Sequence, residues 1–245
     1  MEVIHIEYPL ERPSSVDRKL VMAIGDFDGV HLGHQQVIRT AVETARAKAT
    51  DAAIMTFNPH PREVLGIARY SRYLAPLDKK LELMAGLGVD SAFVVKFDPS
   101  FSRISPADFV EQMLKKLGVD TVVVGFDFTF GHKAQGTVET LKTLCADQID
   151  VIVVEPFNLR GEKVSSTLIR EQLHLADLAK VKMYTGRDYF VTGTVVHGDG
   201  RGKQIGFPTA NIRLSEPYVL PKNGVYAVRF HCRGYVLRGV MNIGL

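Results

Sequence analysis

His31 and His34 are separated by Leu32 and Gly33 and preceded by the run Gly25-Asp26-Phe27-Asp28-Gly29-Val30. Two imidazoles beside glycines can donate to an anion, and glycine lets backbone approach one closely. Further along, Val164-Ser165-Ser166-Thr167-Leu168-Ile169-Arg170 puts hydroxyls and a guanidinium within one turn of a helix-like start. Both patterns suit phosphate, because a helix N-terminus presents unpaired N–H groups and partial positive charge. The plainer alternatives are surface histidines in an ordinary turn and a Ser165 or Ser166 that only caps a helix.

Three other clusters carry chemical groups. Phe57-Asn58-Pro59-His60-Pro61-Arg62 holds a His and an Arg in a backbone fixed by two prolines. Gly125-Phe126-Asp127-Phe128-Thr129-Phe130-Gly131 alternates aromatics around an acid, which suits a planar, polar-edged ligand or else a core-facing edge. His197 to Asn211, containing Gly198, Gly202, Lys203, Gly206, Thr209 and Asn211, is glycine-rich and basic, either a phosphate wrap or a hairpin loop.

The elements that must position these groups can be read from periodicity. Leu20-Val21-Met22-Ala23-Ile24 reads as a buried strand, and Gln35 to about Lys48 as a helix with Val37, Ile38, Ala41, Val42 and Ala45 on one face. Strand-like runs recur at 52–57, 91–95, 121–125 and 151–154, with helix-like stretches at 79–87 and 106–117. Continuous apolar strands alternating with helices predict an α/β domain with a parallel sheet covered on both faces. Ligands in such sheets sit beyond the carboxyl ends of the strands, where the clusters above fall. Past Lys182 the helix period stops; short strands at 189–196, 224–230 and 235–240 predict a small antiparallel β domain. The expected division is 1–182 and 183–245.

Composition narrows the class. Hydrophobic residues at 46% and charged residues at 23% over 245 residues describe an ordinary globular chain with ample core. A net charge of +3 is too small to argue for nucleic acid, though it suits an anionic nucleotide. Cys145 and Cys232 stand in no metal-type spacing. With no signal-like N-terminus and no apolar run of spanning length, the expectation is a cytoplasmic protein with small-molecule partners, no nucleic acid and no membrane. No strand-end glycines read Gly-x-Gly-x-x-Gly, which disfavours a nicotinamide-dependent dehydrogenase.

The decapeptide from Gly25 to His34 resembles the signature of the bacterial FAD synthetase family, whose His-x-Gly-His belongs to the nucleotidyltransferases. The Asn58-Pro59-His60-Pro61, Gly125-to-Gly131 and Val164-to-Arg170 pieces are similar to that family's remaining motifs, in its order. The resemblance implies a Rossmann-like nucleotidyltransferase domain that transfers AMP from ATP to FMN, with Mg2+ bridging phosphates and FAD as product. It assigns His31, His34 and Arg170 to catalysis. It assigns Gly25, Phe27, Asp28, Gly29, Gly33, Ser165, Ser166 and Thr167 with them to ATP, and Asn58, Pro59, His60, Asp127, Phe128 and Phe130 to FMN.

The second half resembles riboflavin kinase through Gly206-Phe207-Pro208-Thr209-Ala210-Asn211, Leu220-Pro221 with Gly224-Val225-Tyr226-Ala227, and Met241-Asn242-Ile243-Gly244. The family's use of its Thr and Asn for magnesium and ATP phosphates maps to Thr209 and Asn211. Family members continue past the last motif with more strands, a catalytic Glu and a helix. A kinase-like β domain that is incomplete and inactive is therefore the expectation. The alternatives are a piece of a bifunctional riboflavin kinase/FAD synthetase that also phosphorylates riboflavin, and a non-catalytic flavin or nucleotide sensor.

Overall fold

The structure, a computed structural model, describes residues 1–10, 19–66, 71–146, 148–197, 206 and 209–244. It contains two compact units, Met1–Val164 and Ser165–Leu245.

In the first unit, six strands among the described residues form one sheet: β1 (Glu2–Ile6), β2 (Leu20–Ile24), β3 (Asp51–Asn58), β4 (Ser91–Lys96), β5 (Val119–Gly125) and β6 (Asp150–Val154). Their spatial order is β1-β4-β3-β2-β5-β6, and every pairing is parallel. The order reverses between β2 and β5, and such a switch point opens a crevice at the carboxyl ends. The chain from Gly25 to His34 leaves β2 there, flanked by the ends of β3 and β5.

The side-chain alternation of β2 explains the two cores. Leu20, Met22 and Ile24 enter one apolar cluster with Phe93, Phe109 and Leu141, while Val21 and Ala23 enter the other with Ile38, Ala41 and Met84. All five residues of β2 are buried, as a central strand covered on both faces requires. The larger of these side chains, Leu20, Val21, Met22 and Ile24, each contribute about 1.5–3 kcal/mol through burial.

Helix α1 (Leu32–Ala47) buries Val37, Ile38, Ala41 and Ala45, the apolar face read from the sequence, and starts earlier than Gln35 because His31 caps it. The one-turn α2 (Pro61–Val64) comes after β3, and α3 (Leu77–Ala85) precedes β4. The stretch expected as one helix from Pro106 begins as α4 (Pro106–Asp108) and widens into a π-helical segment, Phe109–Leu114, that buries Phe109, Val110, Met113 and Leu114. Helix α5 (Val138–Cys145) leads to β6, and the expected loop after β6 carries a small hairpin, β7 (Asn158–Leu159) with β8 (Glu162–Lys163). Strand β1, which periodicity alone does not predict, pairs with β4 at the sheet edge.

The second unit opens with α6 (Ser166–His174) and α7 (Leu178–Thr185), the latter ended by Gly186 at φ 73°. Two antiparallel pairs complete it: β9 (Gly193–Val196) with β10 (Asn211–Leu214), and β11 (Gly224–Cys232) with β12 (Tyr235–Ile243). Buried Tyr218 shares its hydroxyl hydrogen bond with Thr192 at 2.8 Å, and Tyr189 donates to the Val219 carbonyl at 2.7 Å. The β11–β12 hairpin exposes Val225, Tyr235, Val236, Leu237 and Val240. Among the described residues no helix is long and apolar enough to cross a membrane.

Candidate active site

The turn between β2 and α1 is held by unusual backbone. Phe27 (φ 57°) and Val30 (φ 39°) adopt left-handed values beside Gly29 (φ 83°), and such values cost energy for residues with a Cβ. Burial of the Phe27 and Val30 side chains offsets that cost. The Asp28 carboxylate, 3% exposed, accepts from the Leu74 and Ala75 N–H groups at 2.9 and 3.1 Å. Asp28 thus anchors the turn to the segment before α3. A Cβ at Gly29 would lie 3.0 Å from Leu74 Cβ, and one at Gly25 would lie 2.9 Å from the Phe27 ring. Gly29 is required by chain direction as well as by contact, and Gly25 by its contact with the Phe27 ring.

His31 ends this turn in an extended conformation, and its Nδ1 accepts from the His34 N–H at 3.2 Å. An accepting Nδ1 assigns the proton of the neutral ring to Nε2. His34 stacks on it with ring centroids 3.5 Å apart and planes at 19°. The Phe27 ring meets His34 edge-on, 5.4 Å between centroids at 88°. The imidazole pair therefore sits at the opening of α1, held by a cap below and an aromatic edge beside it. Gly33 is close to the stack: a Cβ there would lie 3.2 Å from His31 Cε1.

The loop after β3 lies on the neighbouring strand end. Asn58 and Pro59 are exposed; His60 is buried and caps α2, its Nδ1 accepting from the Arg62 N–H at 3.0 Å. Its Nε2 faces Asp26 Oδ2 at 3.2 Å. Asp26 is also joined by Lys80, whose ammonium donates to the Asp26 carbonyl at 2.7 Å. Neither Asp26 nor Lys80 was expected at the site. Lys80 had a signal, because it shares the apolar stripe of Leu77, Leu81 and Met84, where a charge is out of place.

After β5, Asp127 is exposed and paired with Lys163 of the small hairpin at 2.7 Å, and the Lys163 ammonium lies 4.2 Å from the Phe126 ring centre. Phe128 and Phe130 stack at 5.6 Å and 12°. Phe130 itself is 7% exposed and belongs to the core, whereas Phe128 is half-buried and packs against it.

In the second unit, Ser165 is the residue that caps α6, its Oγ accepting from the Leu168 N–H at 3.2 Å. Ser166 and Thr167 form the first helical turn and Arg170 the next. Among the kinase-like positions, Gly198, Gly202 and Lys203 lie outside the described residues. Gly206 has φ 83°, and Thr209 and Asn211 are exposed, with Asn211 paired to Val196 at the start of β10. Among the described residues no group of three or more His, Cys, Asp or Glu could hold a metal ion.

Comparison with known proteins bears on both units. The FAD synthetase family profile matches residues 14–168 and the riboflavin kinase profile residues 185–245. Over all 245 residues the chain is 43% identical to a bifunctional riboflavin kinase/FMN adenylyltransferase of Listeria monocytogenes, spanning 78% of that protein. It is 42% identical to the Bacillus subtilis protein of the same name, again over 78% of its length. A solved Streptococcus pneumoniae structure, described as a macrolide-efflux protein, superposes on the whole chain and 79% of its own with a TM-score of 0.89 at 29% identity. Relatives that carry both names align with both units, which favours the bifunctional alternative over the expected silent second domain. With its capped histidine pair at the switch point of a parallel sheet and both profiles in sequence, the chain belongs to the FAD synthetase family, in the form joined to a riboflavin kinase domain.

Proposed function

We propose that this chain is part of a bifunctional enzyme that makes FAD in two steps: AMP transfer from ATP to FMN in residues 1–182, after phosphorylation of riboflavin to FMN by a riboflavin kinase domain to which residues 183–245 belong. A phosphate oxygen of FMN attacks the α-phosphorus of ATP and pyrophosphate leaves. No covalent enzyme intermediate is needed, so the protein's part is alignment and charge stabilisation. The observation that carries the reading is the His31–His34 stack at the α1 opening.

In this reading the Nε2–H of His31 and the His34 ring donate to the phosphate oxygens as charge builds on them. In the second unit, Ser165, Ser166, Thr167 and Arg170 are the proposed nucleotide ligands, Ser165 capping α6 so that its first N–H groups are ordered. Gly25, Gly29 and Gly33 let the proposed nucleotide-binding turn close on Phe27, Leu74 and His31, with Phe27 and Asp28 shaping it. Asn58, Pro59, Asp127 and Phe128 face the flavin, buried His60 holds the loop that carries Asn58 and Pro59, and Phe130 supports Phe128 from the core. Magnesium would arrive on the ATP phosphates, since a phosphate-bound Mg2+ needs few protein ligands. Thr209 and Asn211 are the exposed polar residues suited to the same task for the kinase step.

Incubating the purified chain with ATP and Mg2+, with FMN in one tube and riboflavin in another, and then separating the flavins tests both steps. FAD from FMN is the expected result for residues 1–182, and FMN from riboflavin is expected once the chain carries the family's further strands and catalytic Glu. FAD without riboflavin phosphorylation by that longer chain would restrict the proposal to adenylyl transfer, and binding of nucleotide without either product would replace it with a sensor.

A further inference from the structure

We propose that Lys80 is a positioning residue for adenylyl transfer: from α3 it pins the backbone of Asp26 and so sets the Phe27–His34 contact that steadies the imidazole pair. The proposal rests on the FMN adenylyltransferase reading of this site.

Lys80 is 5% exposed, whereas its neighbour Lys79 pairs with Glu82 near the surface. Burying an ammonium is costly unless it is paired and hydrogen-bonded, and an apolar residue would fill the same space at less cost. The Lys80 Nζ donates to the Asp26 carbonyl at 2.7 Å and stands 3.8 Å from Asp26 Oδ1. Buried Thr56 donates to the same carbonyl through Oγ1 at 2.9 Å. The other carboxylate oxygen, Oδ2, takes the His60 Nε2 at 3.2 Å, while His60 Nδ1 accepts from Arg62 N–H. His60 is thereby held as the Nε2–H tautomer and joins the loop after β3 to the loop after β2.

The residue next to Asp26 makes this cluster more than a filler. Phe27 is fixed at φ 57° and 3% exposed, with its ring folded over Gly25 and edge-on to His34. One peptide unit separates the carbonyl that Lys80 and Thr56 hold from the ring that abuts the imidazole. A shift of that carbonyl must move Phe27, since the left-handed turn leaves it no alternative rotation without strain. Lys80 touches neither histidine, so its effect on them is through the turn.

The test is Lys80→Met, which keeps length and removes the donor. Expected is a folded protein whose adenylylation kcat falls on the order of a hundredfold, the loss that a displacement of about 1 Å causes. Both KM values should stay within about twofold, the pattern of an interaction lost only in the transition state. Lys80→Arg, which can still donate to the carbonyl, should recover part of the rate. The His34 ring signals of the 15N-histidine-labelled protein should move in Lys80→Met as the Phe27 ring shifts. A wild-type kcat, a rate loss no larger than the unfolded fraction, or a loss confined to KM would overturn the proposal. Should Lys80→Met not fold, Thr56→Val removes the second donor alone; a smaller kcat loss with moved His34 signals supports the proposal, and the absence of either change overturns it. Failure of the wild-type chain to form FAD would count against the adenylyltransferase reading, whereas unmoved His34 signals would count against Lys80 as the positioning group.

Discussion

His34 both donates its backbone N–H to the Nδ1 of His31 and lays its ring on that imidazole, 3.5 Å between centroids. Helix capping and the proposed phosphate contact therefore meet in one side chain, His31, and substitution can separate them. His31→Asn keeps a good cap and loses the ring; His31→Ala loses both. Adenylylation should fall by roughly two to three decades in each variant, as for removal of one transition-state donor. Unfolding should tell them apart, with His31→Ala less stable than His31→Asn by about 1 kcal/mol, the usual worth of a cap. Equal stability would mean that the Nδ1 contact does not cap α1.

Gly33 gives the opposite sign for stability. It lies in the first turn of α1, and alanine is favoured over glycine in a helix by roughly 1 kcal/mol. A Cβ at this position would stand 3.2 Å from His31 Cε1 and 3.3 Å from Nδ1, so the ring must give way. Gly33→Ala should unfold at the same or higher urea concentration while losing about tenfold or more in kcat, a stability–activity trade of the kind expected at strained sites. Wild-type turnover would show that the stack tolerates displacement.

Phe130 separates packing from binding. Its ring is buried against Phe109 at 5.3 Å, and a Cβ on Gly136 would come within 2.6 Å of it. Phe130→Ala should cost about 3–5 kcal/mol of stability, as for other large core aromatics. Phe128→Ala, at a half-buried position, should instead raise the KM for FMN with a smaller stability loss. Urea unfolding alongside FMN titration checks the pair, and the reverse pattern would exchange the two roles.

The family motifs were legible because they keep particular residue types at fixed offsets from a strand end. The helix face of α1 and the five buried residues of β2 were legible because each keeps to one period. Contacts between distant segments were not. Nothing local to Asp28 indicates that its carboxylate is taken up by Leu74 and Ala75, and nothing local to Asp127 indicates Lys163. Strand β1 was missed because Glu2-Val3-Ile4-His5-Ile6 has too few apolar residues to read as buried, and as an edge strand it needs only one covered face. The π-helical turn at Phe109–Leu114 was unreadable for a related reason, since its apolar residues fit a helix of either period over so short a span.

At the amino ends of the strands, remote from the imidazoles along β2, Asp120 accepts from Lys19 at 2.8 Å and from Lys48 at 2.9 Å, and Lys48 also reaches Asp150 at 2.6 Å. The two ammonium groups hold the Asp120 carboxyl down at about 2, against an ordinary 3.8. Because the folded value lies below the unfolded one, its stabilisation is complete above the unfolded value and is lost as pH falls toward the folded one. The side chain is partly exposed and screened, so the contribution is about 1 kcal/mol rather than the full linkage value. Asp120→Asn should therefore be less stable than the wild type near neutral pH by that amount. The difference between their urea midpoints should close as pH falls from about 3.8 to about 2, and it should shrink at high salt. Adenylylation should be unchanged, since the cluster shares no residue with the imidazole pair. A gap that persists under acid would mean that Asp120 acts through its backbone neighbours and not through its charge.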